Sequence, residues 1–246
     1  MSGHSKWSTI KHKKGAADAK RGRLFTKLIK EITMSAKVGG GSADSNPRLR
    51  TAVQAAKKAS MPSDNIDKAI KRGTGELEGV TYEEVTYEGY GPGGAAILIE
   101  AMTDNKNRTT AEIRHLLTKY GGNMASAGAV AFQFSKKGYL SVEKSAAKED
   151  TLMELALEAG AEDFRTEDSD VFEIITDPGA LEAVKAKLEE KQIPIQTGEV
   201  QSIPQSTIAV EDKGPSLLKL LDMLEDNEDV QKVWSNGDID EKYLQE

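Results

Sequence analysis

Between Arg72 and Gly75 the chain changes both the sign of its charge and the period of its apolar residues, and no single uniform architecture accommodates both parts. Residues 1–72 hold 17 Lys and Arg against 5 Asp and Glu, a net of +12, while the remainder holds 16 against 35, a net of −19. Apolar residues recur at helical spacing before this point and as β-type runs after it. A basic helical module followed by acidic α/β material satisfies both changes. The whole-chain charge of −7 conceals the split.

In the basic part, Ala17 to Lys37 reads as an amphipathic helix with Phe25, Leu28, Ile29, Ile32 and Ala36 on its core face and Gly39 to Gly41 as its stop. At 100° per residue those positions lie roughly 170° from Lys20, Arg23, Lys27, Lys30 and Lys37, so a row of cations is expected opposite the core. Asn46 and Pro47 form an N-cap and first-turn pair for a second helix running to about Ala59 with Leu49, Val53 and Ala56 inward. A third helix is expected from Ser63 to Arg72, with Gly73 just beyond it.

In the acidic part, residues 81–88 and 95–102 are strand-like and joined by a Gly-Pro-Gly-Gly turn. Thr109 to Glu112 fits a capping box before a helix carrying Ile113, Leu116, Leu117 and Tyr120, and Val130 to Phe134 reads as a strand. Thr207 to Val210, Pro215 to Leu224 and Val230 to Trp234 supply a further strand, helix and strand. Between them, Gly138 to Thr176 and Asp177 to Val200 spell β-α-β-β-α-β. The expected fold is therefore α+β and multidomain: a three-helix bundle and two ferredoxin-like α/β sandwiches, the third domain inserted into the second. The bounds are 1–77, then 78–134 with 205–246, then 135–204.

The strongest functional signal is the basic arm, where Lys6, Lys11, Lys13, Lys14, Lys20, Arg21 and Arg23 surround His4, Trp7 and His12. Cations neutralise phosphates and release counterions, and planar rings give bases a stacking surface. Lys27, Lys30, Arg48, Arg50, Lys57 and Lys58 extend this candidate nucleic-acid surface, with Lys68, Lys71 and Arg72 beyond them. Tyr90, Asn105 and Arg108 are secondary contact candidates; capping is the plainer role for Asn105.

Other chemistry finds little support. Gly89 to Gly94 matches G-x-G-x-x-G, but a β-type run follows and Pro92 has no amide, so the segment reads as a turn. Lys137-Gly138-Tyr139 begins like an RNA-recognition motif without its later aromatics, and Phe132 and Phe134 read as core residues on one strand face. The acidic runs Glu225 to Asp229 and Asp238 to Glu241 read as solvated ends. Cysteine is absent and His4, His12 and His115 form no catalytic or metal-spaced set. These observations point to a non-enzyme with no cofactor, no metal, no small-molecule substrate and no membrane partner, located in the cytoplasm.

Several segments together resemble the YebC/PmpR family. They are Gly3 to Trp7, Lys11 to Lys14, Asp18 to Gly22 with Phe25 to Lys27, Asn46 to Arg50, Tyr87 to Gly94, Asp104-Asn105 and Asn107 to Thr109. The resemblance runs from residue 3 to about Asp240. It implies three domains with the third inserted into the second, no catalytic residues, and DNA-binding regulation of transcription. Relatives include a mitochondrial translational activator of cytochrome oxidase, and some bacterial members look like ribosome-associated factors that relieve stalling at proline-rich stretches, so the alternative is a ribosome-bound translation factor; the charge split suits a ribosomal RNA pocket bordered by basic proteins. The position of the Gly-His-Ser-Lys-Trp start suits the bacterial cytoplasmic form rather than one carrying a transit peptide.

Overall fold

The computed structural model describes residues 18–243 and is an α+β, multidomain arrangement. Helices α1 (Asp18–Gly39), α2 (Pro47–Lys58) and α3 (Ser63–Thr74) enclose the first core. Phe25, Leu28, Ile29, Ile32 and Ala36 of α1 meet Leu49, Ala52, Ala56, Ile66 and Ala69, as the helical spacing requires. The Asn46 side chain accepts from the Leu49 amide at 3.1 Å and Pro47 opens the helix, so the cap is the one read from sequence. Gly73 departs from expectation: it lies inside α3, and the terminator is Gly75, in the left-handed region at φ 82°. Position 73 is a helix crossing, where a Cβ would sit 2.4 Å from the Thr33 carbonyl oxygen.

The second core is built on a four-stranded sheet of order β3-β1-β2-β9, from β1 (Glu83–Tyr90), β2 (Ala96–Thr103), β3 (Asn123–Met124) and β9 (Val230–Ser235). Helices α4 (Lys106–Lys119) and α7 (Gly214–Glu225) cover one face through Ile113, Leu117, Leu217, Leu220, Leu221 and Leu224. The segment 125–133 covers the other, through Val130 and its neighbours against Ala96, Leu98 and Trp234.

Here the strand reading needs correction. Residues 131–133 form a 3-10 turn rather than a strand, which turns Phe132 outward to 70% exposure while Phe134 stays buried. The expected strand at 207–210 shrinks to β8 (Ile208–Ala209), paired only with β10 (Gly237–Asp238). The hairpin β1–β2 takes the centre of the sheet, so this sheet does not follow the β-α-β-β-α-β order.

The third core does follow it. Strands β4 (Phe134–Glu143), β5 (Ala161–Arg165), β6 (Val171–Thr176) and β7 (Thr197–Pro204) form a sheet of order β5-β6-β4-β7, every pair antiparallel. Helices α5 (Glu149–Glu158) and α6 (Leu181–Glu190) pack Leu152, Ala156, Leu181, Val184 and Leu188 onto it. This is the ferredoxin-like split βαβ unit. Both chain crossings run beside one another, since β4 pairs with β7 from Phe134 opposite Pro204 onward.

No helix among the described residues is long and apolar enough to cross a membrane.

Candidate nucleic-acid interface

Helix α1 carries cations on the side away from its core, and the second domain claims part of that side. Lys30 is 6% exposed; its Nζ donates to Asp229 Oδ1 at 2.5 Å, to the Glu228 carbonyl at 2.9 Å and to the Met102 carbonyl at 3.4 Å. About one turn earlier Lys27 donates to the Glu225 carbonyl at 2.6 Å, and two turns earlier Arg23 pairs with Asp226 at 3.2 Å. Apart from the Met102 carbonyl on β2, the partners are the last residue of α7, Glu225, and the residues that follow it, Asp226, Glu228 and Asp229, close to the helix end where the dipole favours a cation.

Asp229 is the hub of this contact. Its Oδ2 accepts from Arg108 at 2.7 Å, Thr109 at 2.6 Å and Thr103 at 3.2 Å while Oδ1 takes Lys30. Burial works to raise this carboxyl, but Arg108, Lys30 and Thr109 more than offset it and hold it at about 2. The run Glu225 to Asp229 is therefore not simply a solvated end: Asp229 is 4% exposed, and the run forms an interdomain seat for α1. Lys30 likewise leaves the expected surface row, because a buried ammonium with all three protons engaged offers nothing to a phosphate.

Arg48 remains exposed but is engaged by carboxylates. It meets both carboxylate oxygens of Glu31, at 2.7 and 3.1 Å, and reaches Glu84 on β1. The secondary candidates have structural tasks too. Asn105 caps α4 by accepting from the Arg108 amide at 3.1 Å, in place of the expected Thr109 box, since Thr109 is buried against Asp229. Arg108 spans Asp104 and Asp229. Tyr90 donates to the Ala129 carbonyl at 3.2 Å.

What stays outward is a different set of cations. Arg21 is exposed, and so are Arg50, Lys57 and Lys58 on α2 with Lys71 and Arg72 on α3. Among the described residues Arg50 donates only to the backbone carbonyls of Ala43 and Asp44, and Lys68 pairs with Asp64 at 2.6 Å. Among the described residues no carboxylate pairs with Arg50, Lys57, Lys58, Lys71 or Arg72. His4, Lys6, Trp7, Lys11, His12, Lys13 and Lys14 lie outside the described residues, and Lys20 lies on α1.

Two organising residues escaped the sequence reading, Asp229 and Glu88. Glu88, in β1 and 6% exposed, accepts from the amides of Gly128, Val130 and Ala131 at 2.6, 2.7 and 2.9 Å. Burial pushes its carboxyl up and these amides pull it further down, below the usual range. No local signal marks it: Glu88 sits between Tyr87 and Gly89 in a stretch of β1 buried on both faces, and its amide partners lie 40 to 43 residues further along the chain.

The glycine segment is a turn. Pro92–Gly94 is a single 3-10 turn with Gly93 at φ 75° and Gly94 at φ 79°, and β2 follows it, so no helix N-terminus is available for a pyrophosphate. Among the described residues no group of three or more His, Asp or Glu is placed to hold a metal.

Residues 5–76 match the model of the TACO1/YebC protein N-terminal domain, and residues 82–237 match that of the TACO1/YebC second and third domain. A protein of Desulfosudis oleivorans named "Probable transcriptional regulatory protein" is 60% identical over 240 residues, covering 97% of each chain. A Persephonella marina protein of the same name is 54% identical, covering 100% of this chain and 99% of the other. The crystal structure of a conserved hypothetical protein from Aquifex aeolicus superposes with a TM-score of 0.85 at 48% identity, covering 96% of this chain and 98% of that one.

Proposed function

The chain belongs to the TACO1/YebC family, and from that premise we propose that it is a non-catalytic regulator of transcription that binds DNA through its N-terminal domain. The observation that carries the reading is a division of labour among cations. Arg23, Lys27, Lys30 and Arg48 join the domains, while Arg50, Lys57, Lys58, Lys71 and Arg72 stay exposed without carboxylate partners among the described residues. The names carried by the Desulfosudis and Persephonella relatives support the regulatory role. The acidic domains face a polyanion poorly, so contact is confined to the basic domain and the arm from His4 to Lys20.

The contact set is α2, α3 and the arm rather than the α1 row. A charge reversal at Lys30 would set a glutamate against Asp229, and its effect on binding could not be separated from loss of the domain contact. The variant that isolates binding is Arg50→Ala with Lys57→Ala, Lys58→Ala and Lys71→Ala. Fluorescence anisotropy on a 20-base-pair DNA duplex across a salt series checks it. The wild type is expected to give a log–log slope of about −4 to −7, and the variant a slope shallower by about 3 to 4, at unchanged helicity. Unchanged slope and affinity overturn the reading. Crosslinking in cells with sequencing of both DNA and RNA sets the target: enrichment of ribosomal RNA alone would replace transcription by the translation-factor alternative.

A further inference from the structure

Where the first and second domains join, α1, α3 and the connection 75–82 leave an open cleft of about 620 Å³, within the range of small-ligand sites. Its lining combines three chemistries. Lys37 and Arg72 provide positive charge, Met34, Leu77 and Val80 an apolar wall, and Tyr82 an aromatic ring. Lys37 Nζ lies 3.5 Å from the Tyr82 carbonyl oxygen, and no carboxylate among the described residues pairs with either cation. Tyr82 is half-buried, with Lys30 Nζ 5.6 Å from its ring centroid, and its hydroxyl has no hydrogen-bond partner among the described residues. Arg72 also belongs to the exposed cationic set of α3, so the cleft opens from the surface to which nucleic-acid contact was assigned above.

We propose that this cleft receives one unpaired nucleotide of a bound nucleic acid, its phosphate at Lys37 and Arg72 and its base against Tyr82, Val80 and Leu77. The inference rests on the binding reading above and deepens it. A paired base cannot leave its stack cheaply, whereas a bulged or single-stranded base has already lost its partner. Stacking on an aromatic side chain is tolerant of base identity, so the cleft recognises an unpaired nucleotide rather than a sequence. A paired duplex gains only the backbone contacts. The single glutamate in the lining, Glu78, and the exposed Val80 leave the mouth accessible from solvent.

The test compares a 20-base-pair duplex with the same duplex carrying a one-nucleotide bulge, in DNA and in RNA, by anisotropy with the full chain. The bulged form is expected to bind about tenfold more tightly than its paired parent. Tyr82→Ala is expected to remove that preference while leaving affinity for the paired duplex unchanged, and Tyr82→Phe to keep it. Val80→Asp, at an exposed position, should lower the bulged-to-paired ratio in the same way and guards against a folding defect at Tyr82. The DNA and RNA arms identify the sugar of the bound nucleotide. Equal affinity for bulged and paired duplexes in both arms, or a preference that survives both Tyr82→Ala and Val80→Asp, overturns the cleft while leaving duplex binding intact. No binding to any duplex overturns the underlying reading, and the cleft with it.

Discussion

The ammonium of Lys30 and the carboxylate of Asp229 meet at 2.5 Å across 199 residues of sequence, both buried, and join the helical domain to the second domain. Taking two charges out of water is costly, and this pair is tolerated because Lys30 also donates to two backbone carbonyls and Asp229 also accepts from Arg108, Thr109 and Thr103. Removing one member therefore costs more than the pair contributes. Asp229→Ala is expected to lower unfolding stability by about 3 to 5 kcal/mol, and Lys30→Met with Asp229→Leu to recover most of that loss. Urea titration of the three proteins decides it. A single variant within about 0.5 kcal/mol of wild type would show that the contact is dispensable.

Acid should weaken the same contact over a defined interval. The Asp229 carboxyl titrates at about 2 in the folded protein against an ordinary value of 3.8. Its folded value is depressed, so its contribution is complete above about pH 4 and disappears as the pH falls through 2. The size is about 2 kcal/mol, the equivalent of slightly under two pH units. Denaturant unfolding at pH 4.5 and pH 2 should show wild type losing about that much more than Asp229→Asn. Parallel pH profiles would assign the acid sensitivity elsewhere.

Glu88 organises segment 125–133 through three amides that only an ionised carboxylate can satisfy together. Glu88→Gln replaces one acceptor oxygen by a donor that faces amide protons. The expected loss is about 1 to 3 kcal/mol, with faster hydrogen exchange at Gly128, Val130 and Ala131. Unaltered exchange at all three amides would contradict this role.

Gly73 permits α3 to cross α1 in contact with Thr33 and Ala36. A methyl at this position must push the helices apart, because the nearest atom is backbone. Gly73→Ala is expected to cost about 1 to 3 kcal/mol, despite alanine's higher helix propensity. Thermal unfolding checks the sign: a stabilised variant would mean that the crossing yields readily.

Local chemistry made much of the fold legible. The helical core positions from Phe25 to Ala36, the Asn46 cap and the β-α-β-β-α-β order of the third domain are short-range patterns, each satisfied by its own element. Readings failed where a long-range partner intervened. Phe132 and Phe134 alternate correctly for a strand, yet Glu88, more than 40 residues away, gathers the preceding amides and a 3-10 turn results. Thr109 looked like a cap and became a ligand of Asp229.

The chain's charge distribution and helical periodicity determine that a basic helical module precedes acidic α/β material, because composition and spacing are properties of neighbouring residues. Which cations remain available is a tertiary matter. Arg23, Lys27 and Lys30 share a helix side and a charge, and nothing local distinguishes them from Lys57 or Lys71. The difference comes from the end of α7, almost 200 residues on, which packs against one group and leaves the other in water.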